Sequence, residues 1–241
     1  MNQMVISAVV LKRLTHKRGR RHPFAAIDCS RTAHLVVDMQ SAFLSPGAPL
    51  EIPSTRGIVN NINRISQALR SKGGLIIYLQ HTVDDSDLSD WSIYYHAIVN
   101  ARRRRMLSES LRTGSSGHAI WHGLDLQAQD WLVQKHRFGA FMPNSSDLHS
   151  RLQARNIDTV IISGTATNCC CESTARESMA LNYRTFVVGD ATATDTDDEH
   201  NASLSMLLNT FADVRTTRSM TALIRKSPDN GIHRNTLAVV R

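Results

Sequence analysis

Apolar and polar positions along the chain switch repeatedly between two periods. Short unbroken apolar runs rich in β-branched residues stand at Ala33–Asp38, Leu75–Leu79 and Thr159–Ser163, with a similar run at Arg184–Asp190. Such runs read as strands buried on both faces, the signature of a parallel sheet. Asp130–Lys135 and the shorter Asp213–Thr217 read as further strands. Between them the spacing turns helical. Over Thr55–Lys72, Ile58, Ile62, Ile65 and Leu69 fall on one face, and Gly73–Gly74 ends the run. Helices are also predicted over Ser146–Arg155, over Glu172–Leu181, and over Glu199–Phe211 with Leu204, Leu207, Leu208 and Phe211 inward. Ser89–Met106 is a weaker helical stretch, and Leu44–Pro53, with three prolines and a glycine, is a loop. Thr192–Asp198 reads as a polar loop, and the chain beyond Lys226 as a polar tail. Strands alternating with helices imply an α/β fold, a parallel sheet with helices on both faces.

Length changes this picture little: 241 residues suit one large α/β domain or two small ones. Charge changes it more. Six of the 28 basic residues and none of the 21 acidic ones lie in residues 1–25, so the remainder is nearly neutral. The excess positive charge is therefore a property of the N-terminal stretch and no argument for nucleic-acid binding by the domain. That stretch reads as a disordered or extended basic extension, residues 1–30, ahead of a domain over 31–226 and a tail over 227–241. Its order of apolar then charged residues is the reverse of a secretory signal. No apolar run approaches a membrane span. Four cysteines, three of them contiguous, cannot staple a framework, which points to a reducing, cytoplasmic setting. Arg102–Arg105 circles a helix axis and reads as solvated surface or an oligomer contact.

Candidate chemistry gathers where strands end. Asp38 closes the first strand, Gln80 and His81 follow the second, and Lys135 closes the third. Cys169, Cys170 and Cys171 fall in the turn between the Thr159–Ser163 strand and the helix after it. In open parallel sheets the chemistry lies at the carboxyl ends of the strands. A thiol at a helix N-terminus is pushed toward its nucleophilic thiolate. Three small residues packing a helix on a sheet would look the same. His81 with Asp84, Asp85, Asp87 and Asp90 briefly suggests a metal site, but no second histidine falls at ligand spacing, and an acidic loop explains the cluster.

Three ordered motifs narrow the choice: Asp38-Met39-Gln40 after an apolar strand, Lys135-His136-Arg137-Phe138-Gly139-Ala140-Phe141, and Gly164 through Arg176. From about Ala33 to Lys226 the chain resembles the isochorismatase-like cysteine hydrolases. The resemblance implies a three-layer αβα, Rossmann-like fold with a six-stranded parallel sheet. It implies a Cys170–Asp38–Lys135 triad, a cis peptide between Thr165 and Ala166, and an oxyanion hole made by the N–H groups of Ala166 and Cys170. Phe43 and Phe141 are expected to wall the substrate, and His81 either binds it or caps a turn. Members of this family hydrolyse nicotinamide, carbamoyl, ureido and biuret-type amides, or the vinyl ether of isochorismate. The metal-dependent nicotinamidases carry Asp-x-His after the second strand; here the chain reads His81-Thr82-Val83-Asp84, so neither a metal nor a cofactor is expected. The reading is a cysteine-dependent hydrolase of a small carbamoyl, ureido or biuret-type amide, acting without a nucleic-acid or membrane partner and forming a homo-oligomer, dimer or tetramer. Vinyl-ether hydrolysis and a non-catalytic binding role are the alternatives.

Overall fold

The computed structural model describes residues 1–228. Six strands, β1 (Thr32–Val37), β2 (Leu75–His81), β3 (Trp131–Lys135), β4 (Thr159–Thr165), β5 (Arg184–Ala193) and β6 (Asp213–Arg215), form one sheet in the order β3-β2-β1-β4-β5-β6. Every pairing is parallel. The order reverses between β1 and β4, so the crevice for a ligand opens above the carboxyl ends of those two strands.

Side-chain alternation splits the core into two layers. Leu35, Val37, Ile77, Leu79, Val160 and Ile162 face α6 (Leu148–Ala154), α7 (Glu172–Ala180) and α8 (Asp197–Met206). Val36, Ile76, Tyr78, Ile161 and Val188 face α3 (Val59–Arg70) and α9 (Thr217–Arg225). α3 buries Ile62, Ile65 and Leu69 on the predicted face. α9, with Met220, Leu223 and Ile224 buried, continues a segment where the sequence reading placed no helix. β5 runs on to Ala193, so Thr192 and Ala193 belong to a buried strand rather than to a polar loop.

The weak helical stretch is three pieces: α4 (Asp85–Asp90), a widened turn over Ile93–Ile98, and α5 (Ala101–Leu111). Val99 is extended, and the Asn100 side chain accepts the N–H of Arg103 at 2.8 Å, which starts α5 afresh. A small apolar cluster of Ala42 from the short α2 (Ser41–Leu44) with Leu50, Val83, Tyr95, Leu107 and Leu111 fastens these pieces above the sheet's carboxyl edge.

The N-terminal stretch is not extended or disordered. Residues Ala8–Arg18 form α1, capped by Ser7 at its start and by Gly19 in the left-handed conformation at its end. α1 has no strong amphipathic pattern, yet Leu14 is fully buried among core residues. Its flanks are tied down by polar bonds: Asn2 Nδ2 donates to Asp197 Oδ1 at 2.9 Å, Val5 N–H to Asn201 Oδ1 at 2.7 Å, and Arg18 to the Leu208 carbonyl at 2.9 Å. His22 Nδ1 lies 2.6 Å from Asp213 Oδ1. The expected tail over 227–241 falls almost wholly outside the described residues.

Candidate active site

Asp38 leaves β1 at φ +50°, in the left-handed region that a carboxylate residue tolerates better than most. The turn is fixed from both sides: Asp38 N–H donates to the Leu79 carbonyl at 3.0 Å, and Gln40 N–H to the Asp38 carbonyl at 2.8 Å. The Gln40 amide then bridges to β2, donating to the carbonyls of His81 and His118 and accepting the His81 N–H at 2.8 Å. Gly164 has φ +112°, and a Cβ there would collide with the backbone of Val37. Its bare Cα lets β4 run close against the end of β1 and delivers the cysteine turn beside Asp38. The Thr165–Ala166 peptide is cis.

Lys135 ends β3 in register with His81 and is fully buried. Its Nζ lies 3.0 Å from Asp38 Oδ2, donates to the Arg137 carbonyl at 3.1 Å and approaches His81 Nδ1 to 3.3 Å. The loop after it is held by α7: Glu177 Oε2 accepts the N–H groups of Phe141 and Met142 at 2.8 and 3.2 Å. Gly139 lies so close to the Glu177 carboxylate that a Cβ would overlap it.

Burial pushes the Asp38 carboxyl above its ordinary range, and the Lys135 ammonium is the chief force the other way. The ion pair with Lys135, 3.0 Å from Oδ2, does most to favour the charged form, with Cys170 and the His81 N–H adding to it. Burial alone would lower the Lys135 pKa, but Asp38 and the neighbouring thiols outweigh it and the net direction is up. His81 is driven well below its usual value by burial and then by Lys135, so it is a neutral imidazole. The Cys170 thiol is pushed well above its ordinary value by its contact with Cys169, by burial and by Asp38, with Lys135 pulling it down. A thiol so placed needs a base, and a carboxylate raised toward neutrality is suited to that work.

Asp38, His81 and Cys170 offer ligand atoms within 4.8 Å of one another, but the Lys135 ammonium beside them opposes a cation there. Asp84, Asp87 and His136 form a second such group; its Asp87 is already bonded to His136 at 2.8 Å and to the Arg137 guanidinium at 3.1 Å.

A cavity of about 240 Å³ opens over this cluster. Asp38, His81, Ala166, Cys170 and Phe43 all line it, as does Cys169. Phe141 does not. Its ring lies tilted against Tyr183 at 5.4 Å and packs beside His149, because the Glu177 clamp turns this end of the loop toward α7. Phe138, three residues earlier in the same loop, takes the wall instead, edge-on to Tyr94 at 5.1 Å and Trp91 at 4.8 Å. Tyr94, Arg103, Leu107, Asn168, Thr194 and Asp195 also line the cavity and were not singled out from the sequence. Phe138 was at hand in the Lys135 motif. Tyr94 and Arg103 lie in the stretch whose periodicity is broken by the widened turn, so no pattern marked them.

An open parallel α/β sheet gathers a buried carboxylate, ammonium and thiol at the carboxyl ends of its strands, the parts a nucleophilic hydrolase requires. Residues 32–219 match the isochorismatase domain model, and the chain belongs to that family. It is 34% identical over 179 residues to the ureidoacrylate amidohydrolase RutB of Stutzerimonas stutzeri, covering 69% of this chain and 71% of that one. It is 31% identical over 183 residues to a probable inactive nicotinamidase of Arabidopsis thaliana, covering 74% and 88%. Among solved structures, a cysteine hydrolase from Pseudomonas syringae pv. phaseolicola superposes with a TM-score of 0.74 at 30% identity, over 85% of this chain and 97% of that one.

Proposed function

We propose that the chain hydrolyses the carbon–nitrogen bond of a small non-peptide amide of the carbamoyl or ureido kind, through a thioester on Cys170. The observation that carries this reading is the buried Asp38–Lys135 ion pair, 3.0 Å across, set against the Cys170 thiol. The similarity to a ureidoacrylate amidohydrolase supports the substrate class.

In this mechanism Asp38 takes the Cys170 proton, and the thiolate attacks the carbonyl carbon. The oxyanion is met by the N–H groups of Ala166 and Cys170; the N–H groups flanking Cys170, those of Cys169 and Cys171, both turn to the Ala166 carbonyl at 3.1 Å. As the tetrahedral species collapses, the carbon–nitrogen bond breaks and Asp38 returns its proton to the leaving nitrogen, releasing ammonia or an amine. Asp38 then removes a proton from water. The resulting hydroxide attacks the thioester, the carbon–sulfur bond breaks, and Cys170 recovers its proton from Asp38. Lys135 keeps Asp38 in its basic form at both stages.

Cys170→Ala should abolish ammonia release from a panel of ureido and carbamoyl amides, and the substrate-derived mass adduct of the wild-type protein should vanish with it. Cys171→Ala should keep most activity, since that thiol is fully buried under the turn. A Cys170→Ala protein that still turns over its substrate at a near-normal rate would sink the covalent mechanism and favour vinyl-ether chemistry. A wild-type protein that gives neither ammonia nor an adduct with any of the panel would favour a binding role.

A further inference from the structure

The cavity has one end that the hydrolytic mechanism does not use. α5 turns a single stripe toward it: Arg103, Leu107 and Leu111, four residues apart, all line the wall. The two leucines are buried in the cluster that fastens α5, so the helix is anchored and Arg103 is its charged end. Arg103 lies in the first turn of α5, where the Asn100 cap holds its backbone and the helix dipole adds to its positive charge.

The other cations beside the cavity are engaged. Lys135 is buried against Asp38 and the Arg137 carbonyl. Arg104 reaches back to the Tyr95 carbonyl at 3.2 Å and to His96 Nδ1 at 2.9 Å. Among the described residues the Arg103 guanidinium has neither an ion pair nor a hydrogen bond; it stands exposed at the rim of the cavity, open to a ligand that enters. Tyr94 lies between the two ends: its phenol feels the charges of Cys169 and Cys170 as well as that of Arg103. Asp195 lines the same cavity and is likewise unpaired among the described residues, so the mouth holds one positive and one negative charge. The guanidinium attracts an anionic group, while Asp195 on the same cavity opposes a second negative charge such as that of a phosphate ester.

We propose that Arg103 anchors a carboxylate on the substrate, so that the amide cleaved at Cys170 is a short ureido or carbamoyl monocarboxylic acid rather than a neutral amide. The inference rests on the hydrolase reading above and adds the identity of the substrate's far end. The carbonyl lies at Cys170, the short spacer crosses the aromatic wall of Tyr94 and Phe138, and the carboxylate meets the guanidinium as a charge-assisted pair.

The test compares 3-ureidopropionate with n-propylurea, a neutral probe of similar length, in the wild type and in Arg103→Met, Arg103→Lys and Arg102→Met. Arg102 lies off the cavity stripe and controls for the change in overall charge. The wild type should favour the acid. Arg103→Met should lose roughly 10- to 100-fold in kcat/KM on the acid, chiefly through KM, and change little on propylurea. Arg103→Lys should recover part of the loss, and Arg102→Met should match the wild type on both probes. A preference for the acid that survives Arg103→Met, or one that falls equally in Arg102→Met, would overturn the proposal. Binding separates the two readings: Cys170→Ala should bind 3-ureidopropionate by calorimetry and Arg103→Met/Cys170→Ala should not. Binding of that pattern with no turnover would fault the hydrolase reading and leave the anchor standing. Equal binding by both proteins would fault the anchor even if turnover is seen.

Discussion

At the scale of single residues, burial decides what each titratable group does. Asp38 and Lys135 are both removed from water and make sense only together: deleting either leaves the other as a buried charge or forces it to neutralise. His34, in the middle of β1, shows the same principle away from the cavity. It is fully buried, donates or accepts between Ser66 Oγ at 3.0 Å and Ser163 Oγ at 2.7 Å, and burial and then Arg70 lower its pKa to about 3. Because the folded value lies below the unfolded one, His34's contribution is intact above pH 6.5 or so and is lost as pH falls toward 3. Between pH 6.5 and 5 that loss amounts to about 1–2 kcal/mol. Urea unfolding of His34→Gln should show a shallower fall in stability over this interval than the wild type. An unchanged slope would mean that His34 is protonated in the folded state.

At the scale of elements, the loop after β3 is a part made by two segments distant in sequence. Lys135 is aimed by β3, but the loop's return is set by Glu177 on α7, through the N–H groups of Phe141 and Met142. Gly139→Ala would push the carboxylate off these donors. The side chain is flexible enough to move, so the expected cost is the loss of the two hydrogen bonds, about 1–3 kcal/mol. The thermal midpoint should fall by several degrees and turnover should fall with it as Phe138 loosens on the cavity wall. A variant with wild-type melting and kinetics would show that the clamp is dispensable.

For the molecule as a whole, the N-terminal stretch is part of the domain's body. Burial of Leu14 alone is worth about 1.5–3 kcal/mol, and the polar ties of Asn2, Val5, Arg18 and His22 add to it. The stretch also reaches the site: Thr194 N–H donates to Asn2 Oδ1 at 2.9 Å, and Thr194 lines the cavity. Removing residues 1–22 should therefore lower the melting temperature and also raise KM. Differential scanning calorimetry and steady-state kinetics on the truncated chain would check both; unchanged values would mean that the body holds the Thr194 loop unaided.

The sequence by itself determined the sheet and the three strand-end motifs, because a strand buried on both faces must be continuously apolar and its period is local. Asp38, Lys135 and Cys170 were legible because each marks a strand end: Asp38 follows β1, Lys135 closes β3, and Cys170 lies in the turn after β4. What the sequence could not hold was direction. Phe43 and Phe141 are equal as aromatic residues beside motifs, yet only Phe43 faces the cavity, because Glu177 orients the other end of the loop. Cys169 lines the cavity while Cys171 is buried beneath it, a difference set by the widened turn over Thr167–Cys171. Arg103 is one of four consecutive arginines and acquires a place in the site only from the register of α5, which the Asn100 cap and two buried leucines fix. α1 went unpredicted because its one fully buried side chain, Leu14, leaves no periodic face; its order comes from contacts nearly two hundred residues away along the chain. Local period is written in neighbouring residues, whereas orientation and long-range anchoring exist only once the chain has closed on itself.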